Sequence, residues 1–193
     1  MKALLLELPH YLIWSMGIFS TGAVFGAGTF FMAPEFTAIM LIDLSEFAGD
    51  VFAGSQREAF MFIFFNNVTK VFGAMMLGSL FAIVPTLSLI VNGFVLGLVF
   101  SYSLAATGGP LAFIAAVVPH GIFELPAFIV ASAVGLLLGV CVIKRVRHEV
   151  GTSITSLYIW SGQLFIILIA PLLLVAAMIE VYVTPLVIHA LIS

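Results

Sequence analysis

The sequence predicts an all-α fold, a polytopic bundle of transmembrane helices that forms a single membrane domain over residues 1–193. Composition is the first reason. Hydrophobic residues make up 63% of the chain and charged residues 8%, whereas an ordinary soluble domain has about 25% charged residues. Length is the second reason, because several apolar runs reach the roughly 20 residues that cross a bilayer core. We predict about five spans, a re-entrant half-helix and an interfacial amphipathic helix.

The first two elements differ in how polarity is distributed. Residues 11–33 form an apolar run that is too long for a signal peptide, so they predict the first span. Residues 35–53 instead place apolar and acidic side chains on separate faces, which predicts an amphipathic helix at the membrane surface. Its apolar face consists of Met40, Leu44, Phe47 and Val51, and its acidic face of Asp43, Glu46 and Asp50.

Three more apolar runs predict further spans, over residues 59–84, 86–106 and 154–180. Pro85 lies at the turn between the first two of them. Small residues recur at four-residue spacing in several spans, and such faces let two helices pack closely. Because the partner helix could belong to a second copy, a homodimer is an open alternative.

Residues 111–143 are apolar but contain three residues that weaken a helix, Pro119, Gly121 and Pro126. Residues 111–119 are too few to cross a bilayer. We therefore predict a re-entrant half-helix over 111–119, a break at these three residues, and a full span over 126–143.

Charge predicts the orientation. The basic cluster of the chain lies at residues 144–150, so the positive-inside rule places that loop in the cytoplasm. Counting spans backwards places the N-terminus in the cytoplasm and residues 34–57 outside. We expect the protein in the cell membrane, and the net charge of −3 predicts no nucleic-acid partner.

Polar residues inside the spans define the candidate site. Lys70 is the deep cation and Glu124 the deep anion of the sequence, and charges within a membrane usually pair. We predict that these two side chains approach one another. We expect four further residues to join them: Asn66, Asn67, Asn92 and His120.

His120 and Glu124 also have the four-residue spacing of paired metal ligands or of an acid–base couple. Two ligands do not complete a site, because catalytic zinc has three protein ligands and structural zinc has four. No third ligand is evident from the sequence. In the leading interpretation the pair has a structural role: its side chains hydrogen-bond to backbone groups that the broken helix leaves without partners and to neighbouring polar groups. A substrate or partner site, and a divalent metal such as zinc, remain alternatives.

These residues resemble the stage II sporulation protein M family. The resemblance rests on Phe65-Asn66-Asn67, Asn92-Gly93, and above all on the segment His120-Gly121-Ile122-Phe123-Glu124-Leu125-Pro126-Ala127. In spore-forming bacteria the family is implied to be a membrane scaffold that holds two peptidoglycan-degrading partners and has no hydrolase chemistry of its own. The resemblance leaves the molecular role of the signature residues open.

We therefore predict a non-enzymatic membrane protein that organises membrane or cell-envelope protein partners. Two other functions stay open. A small transporter or channel is one, because broken helices often form transport sites. An intramembrane metal-dependent hydrolase that uses His120 and Glu124 is the other.

Overall fold

The computed structural model describes residues 2–107, 109–149 and 153–192, and the regular elements within them are all helical. The α-helices are α1 (Lys2–Met32), α2 (Pro34–Phe52), α3 (Gln56–Met76), α4 (Ile83–Thr107), α5 (Leu111–Val146), α6 (Ile154–Leu164), α7 (Ala170–Met178) and α8 (Thr184–Ile192). A short 3₁₀ turn, Leu77–Ser79, follows α3. The predicted all-α bundle is confirmed.

The last three helices form one rod. Two π-helical turns, Phe165–Ile169 and Ile179–Val183, join α6 to α7 and α7 to α8 without a loop. A π turn is a rare local widening of a helix, and such turns are frequent at functional sites. The second of these turns contains Glu180.

Five helical segments of the described chain are long and apolar enough to cross a membrane, as predicted. They are Leu6–Met32, Gln56–Ser79, Ile83–Thr107, Leu111–Val146 and Ile154–Leu191. The amphipathic α2 lies between the first two. Ser55 and Glu58 start α3 through a capping box, in which each side chain bonds to the backbone of the other.

The predicted break in the fourth span is wrong. Residues 111–119 do not form a separate half-helix, because α5 continues through Pro119, Gly121 and Pro126. Each proline removes one backbone donor, but a fully broken segment would leave several groups without partners in a medium that offers no water. At about 1.5 Å per residue, the 36 residues of α5 extend about 54 Å, well beyond the roughly 30 Å of a bilayer core.

The predicted end of the last span is also too early. The rod continues past residue 180 to Leu191, so the C-terminal residues extend the span. Pro171 and Pro185 each sit at or beside the start of an α-helical section, where the missing N–H costs least. This extension places Glu180 inside the last span.

Helix α5 is the centre of the bundle and contacts all the other spanning helices. Residues 131–139 of α5 are all buried. Helix α5 closely approaches the end of α3 and the 3₁₀ turn that follows it, since a Cβ at Gly78 would overlap Gly135 and a Cβ at Gly135 would overlap Ala74. The small residues of α5 therefore serve packing within the chain.

Helices α1 and α4 also pack at backbone distance. A Cβ at Gly22 would overlap Ile90, and a Cβ at Gly26 would overlap Phe94. Gly93 and Gly97 of α4 likewise leave no room for a Cβ against the backbone of α1. The small-residue face that motivated the homodimer hypothesis is therefore used inside one chain.

The ends of α1 and α5 lie together. Lys144 Nζ and a Glu7 carboxylate oxygen are 3.9 Å apart, so the start of α1 and the basic end of α5 share one face of the bundle. Both side chains are more than 40% exposed, and an ion pair of this kind contributes little to stability. The contact agrees with an even number of crossings between these points, since four spanning helices lie between them, and it leaves open which face is cytoplasmic.

Candidate metal centre

His120 and Glu124 lie one turn apart on the same face of α5. The two side chains lie together because α5 is continuous. A break at Gly121 would have pointed them in different directions. Both residues are half-buried, and they face the protein rather than the outer surface of the bundle. The helical spacing of the pair therefore holds in the structure, because α5 is intact where a break was predicted.

Glu180 is the third member of the cluster, and it comes from the π turn of the C-terminal rod. One ligand atom from each of His120, Glu124 and Glu180 can be chosen so that all three lie within 4.8 Å of one another. The π turn is held against α3, where Val181 packs on Ala59 and Ile63. One helix, α5, and a π turn packed on α3 thus position the three ligands.

Sequence reasoning missed Glu180, which is the last residue of the predicted span over residues 154–180. The error followed from ending the last span at that residue. The available signal was the apolar run on both sides of Glu180, which continues to residue 191. A carboxylate inside such a run is a candidate functional group for the same reason as Glu124.

The imidazole of His120 has an unused polar atom. Its Nδ1 is buried and has no hydrogen-bond partner among the described residues. Buried polar atoms in proteins are nearly always paired, so an unpaired nitrogen needs an explanation. A metal ion or a bound ligand would supply the missing partner.

Lys70 lies near the cluster without joining it directly. Its ammonium acts electrostatically on Glu124, but no ion pair between them is formed in the described part of the chain. The Lys70 side chain is exposed at the surface of the bundle. The ion pair that the sequence predicts between Lys70 and Glu124 therefore does not form in the described part of the chain.

The three predicted asparagines separate into two groups. Asn66 and Asn67 of α3 are half-buried, and their amides contact each other at a long 3.5 Å. Asn92 of α4 is exposed and donates to the backbone oxygen of Ser88 at 2.8 Å. Asn92 therefore satisfies its own helix and does not take part in the predicted cluster.

The residues of the predicted break have a different surrounding. Gly121 and Pro126 line an apolar groove of about 330 Å³ between α4 and α5, together with Leu96, Val117 and Leu125. Gly121 is buried and Pro126 is exposed. These residues shape the side of α5 next to the groove, whereas His120 and Glu124 belong to the cluster with Glu180.

The chemistry of the three ligands suits a divalent transition metal. Imidazole and carboxylate groups both bind zinc, with bonds of about 2.0–2.2 Å. Ligand atoms around a tetrahedral ion with such bonds are about 3.4 Å apart, so the observed 4.8 Å limit asks for side-chain movements of about an ångström. Three protein ligands leave one position for another molecule.

Comparison with known proteins identifies the family. The profile described as "Stage II sporulation protein M" matches residues 15–185. The chain belongs to the stage II sporulation protein M family. It is also 30% identical over 176 residues to an uncharacterized protein of Methanocaldococcus jannaschii. The alignment covers 90% of this chain and 93% of the relative. No solved structure matches the chain at a significant level.

The family match agrees with the resemblance drawn from the motif around His120. It covers all five helical segments that are long and apolar enough to span a bilayer, at least in part, so this stage II sporulation protein M family member is a multi-pass membrane protein.

Proposed function

We propose that the protein binds a divalent metal ion, such as zinc, inside the membrane through His120, Glu124 and Glu180. The observation that carries this proposal is the convergence of three ligand atoms within 4.8 Å. The buried Nδ1 of His120, which finds no hydrogen-bond partner in the described part of the chain, supports it independently. A bound cation would also relieve the repulsion between two neighbouring carboxylates in a medium of low dielectric constant.

The number of ligands favours a catalytic site over a structural one. Structural zinc sites usually have four protein ligands, whereas catalytic sites have three and keep one position for water or substrate. A metal ion in such a site lowers the pKa of its bound water and generates hydroxide near neutral pH. We infer an intramembrane metal-dependent hydrolase, the reaction class that this ligand set supports best.

Metal analysis of purified protein tests the proposal. Wild-type protein in a detergent micelle, loaded with zinc and washed, should retain about one ion per chain by mass spectrometry of the metal. His120→Ala, Glu124→Gln and Glu180→Gln should each retain less than about a tenth of that amount. His10→Ala and Glu46→Gln are the matched controls, because both residues are exposed and distant in sequence from the cluster.

Equal retention by the site variants and the controls would contradict the metal site. Glu180→Gln is the sharpest of these variants, since only the fold, and no sequence motif, connects residue 180 with residues 120 and 124. Monodisperse elution of each variant from a size-exclusion column shows that the fold is kept.

A second candidate is the organisation of membrane partners, and α2 is the feature that favours it. Its acidic residues Asp43, Glu46 and Asp50 are all exposed. Reversing these three charges to lysine should abolish copurification of partner proteins from native membranes, and Glu124→Gln should leave it unchanged. The opposite pattern would remove this candidate. The transport hypothesis has less support, since it depended on a broken α5.

A further inference from the structure

Thr184 is a buried polar residue that the proposed function does not use. It is the first residue of α8 and directly follows the π turn Ile179–Val183. The residue is 6% exposed, and its hydroxyl oxygen has no hydrogen-bond partner in the described part of the chain. Buried polar groups are nearly always paired in proteins, so this hydroxyl needs an explanation.

Other threonines in the helices of this chain use a backbone acceptor within their own helix. Four of them donate the hydroxyl proton to the backbone oxygen four residues earlier, at 2.7–2.8 Å: Thr21, Thr29, Thr86 and Thr107. For Thr184 that acceptor would be the backbone oxygen of Glu180, and this bond is not formed. The π turn changes the local register, because the Thr184 N–H bonds to Ile179, five residues earlier. The Thr184 hydroxyl proton is therefore available to another acceptor.

The buried side of α8 faces α5. Apart from the π turn before it, α8 packs on α5, and Thr184 is the buried side chain among the described residues of α8. Thr184 also lies one turn beyond Glu180 on the same side of the rod, since a four-residue step nearly keeps its direction in both α and π geometry. The hydroxyl is thus placed against the helix that contains His120 and Glu124.

The directions of the two helices place Thr184 at the His120 end of the cluster. Helix α5 and the C-terminal rod are consecutive spans, so they run in opposite directions. Glu180 lies beside both other ligands, and the step of about 6 Å from Glu180 to Thr184 runs parallel to the step from Glu124 back to His120. His120 Nδ1 and the Thr184 hydroxyl are therefore two buried polar atoms, without partners among the described residues, at one end of the cluster.

We propose that the Thr184 hydroxyl donates a hydrogen bond to a small anion in the open position of the metal, a step that rests on the proposed function. The metal ion binds Nδ1 of His120, and the anion on the metal accepts the Thr184 proton. One occupied site thereby supplies both missing partners. A hydrogen bond to an ionised acceptor is roughly twice as strong as a neutral one, so the hydroxyl favours an anionic ligand, such as hydroxide or a carboxylate, over a neutral one.

Azide binding to the cobalt-loaded protein tests the proposal. Full-length protein in dodecyl maltoside is loaded with Co²⁺, whose visible absorption changes when a ligand enters its coordination sphere, and sodium azide is titrated at fixed pH. Thr184→Val keeps the shape of the side chain and removes the hydroxyl, so the affinity for azide should fall at least about tenfold. Thr184→Ser keeps the hydroxyl and should stay within about threefold of wild type. Cobalt content should be unchanged in both variants, since Thr184 is not a ligand.

Ser132→Ala is the matched control. Ser132 of α5 is 0% exposed, and its hydroxyl also has no partner within the described residues. It lies eight residues beyond Glu124, about 12 Å along the helix, so it is far from the cluster. Loss of this hydroxyl should leave azide affinity and cobalt content at their wild-type values. A decrease as large as that of Thr184→Val would contradict a specific role of Thr184.

The possible failures are distinguishable. A wild type that binds no cobalt contradicts the metal site, and the role of Thr184 with it. A cobalt-loaded wild type that binds no azide contradicts the open position and therefore the inference. Equal azide affinity in wild type and Thr184→Val, at equal cobalt content, overturns the role of Thr184 and leaves the metal site intact.

Discussion

A carboxylate oxygen of Glu124 and one of Glu180 lie within 4.8 Å of each other, although the two residues belong to different helices that meet only in the folded bundle. Two carboxylates at this separation repel each other unless a proton or a cation lies between them. His120 completes the group, and its buried Nδ1 has no partner among the described residues. This relationship is the basis for the first two predictions.

Zinc should stabilise the wild-type protein against heat. A ligand present at about 100 times its dissociation constant contributes about 2.7 kcal/mol to the free energy of unfolding. In a chain of this size that corresponds to an increase in Tm of roughly 5–10 °C. Thermal unfolding in detergent with and without zinc measures the increase. It should disappear in His120→Ala and persist in His10→Ala.

Glu180→Gln should stabilise the metal-free protein while removing the response to zinc. The substitution keeps the shape of the side chain and removes one of two neighbouring negative charges. We expect Tm in the presence of a chelator to rise by about 2–4 °C, equivalent to about 1 kcal/mol. Glu35→Gln, on the exposed surface of α2, should change neither value. A metal-free Glu180→Gln protein that melts well below wild type would contradict this account of the cluster.

The close contact of α1 and α4 predicts opposite effects at two glycines of the same helix. Alanine at Gly26 would overlap the backbone of Phe94, whereas alanine at Gly28 meets nothing within 4 Å. Gly26→Ala should therefore destabilise the protein by about 1–3 kcal/mol or more, since the helices must separate. Gly28→Ala should be neutral or stabilising by up to about 1 kcal/mol, because alanine favours the helix. Denaturation in mixed micelles compares the two.

The continuity of α5 predicts that its prolines are dispensable for folding. Pro119→Ala and Pro126→Ala each restore a backbone donor within an existing helix, and a proline inside a helix costs about 3 kcal/mol. We expect equal or higher stability and unchanged zinc retention in both variants. Loss of zinc retention in Pro119→Ala would show that the local geometry at His120 depends on the proline.

Labelling of introduced cysteines tests the orientation that the sequence predicts. Cys141 is first replaced by serine, and a single cysteine is then placed at Ser45 of α2 or at Ser153 before α6. Both positions are exposed. An impermeant maleimide should label intact cells at residue 45 and should label residue 153 only after the membrane is opened. The reverse pattern would invert the topology.

The sequence alone determined the number of spans and the separate character of α2. Both follow from local composition, because about 20 apolar residues must cross a bilayer and a helix with one polar face must stay at its surface. It also identified His120 and Glu124, since a four-residue spacing places two side chains together in any α-helix. These properties depend on residues that are close together in the chain, so they can be predicted from the sequence.

Only the tertiary structure decided the rest. Pro119 and Pro126 weaken a helix locally, but α5 contacts all the other spanning helices, and that packing together with the need to satisfy backbone groups in lipid keeps it continuous. Glu180 joins His120 through a contact between distant segments, set by the π turn and its packing on α3. Asn92 does not join the cluster because its side-chain amide donates a hydrogen bond to the backbone oxygen of Ser88 in its own helix. Local rules predict which polar residues lie in the membrane, and the packing of the helices decides which of them meet.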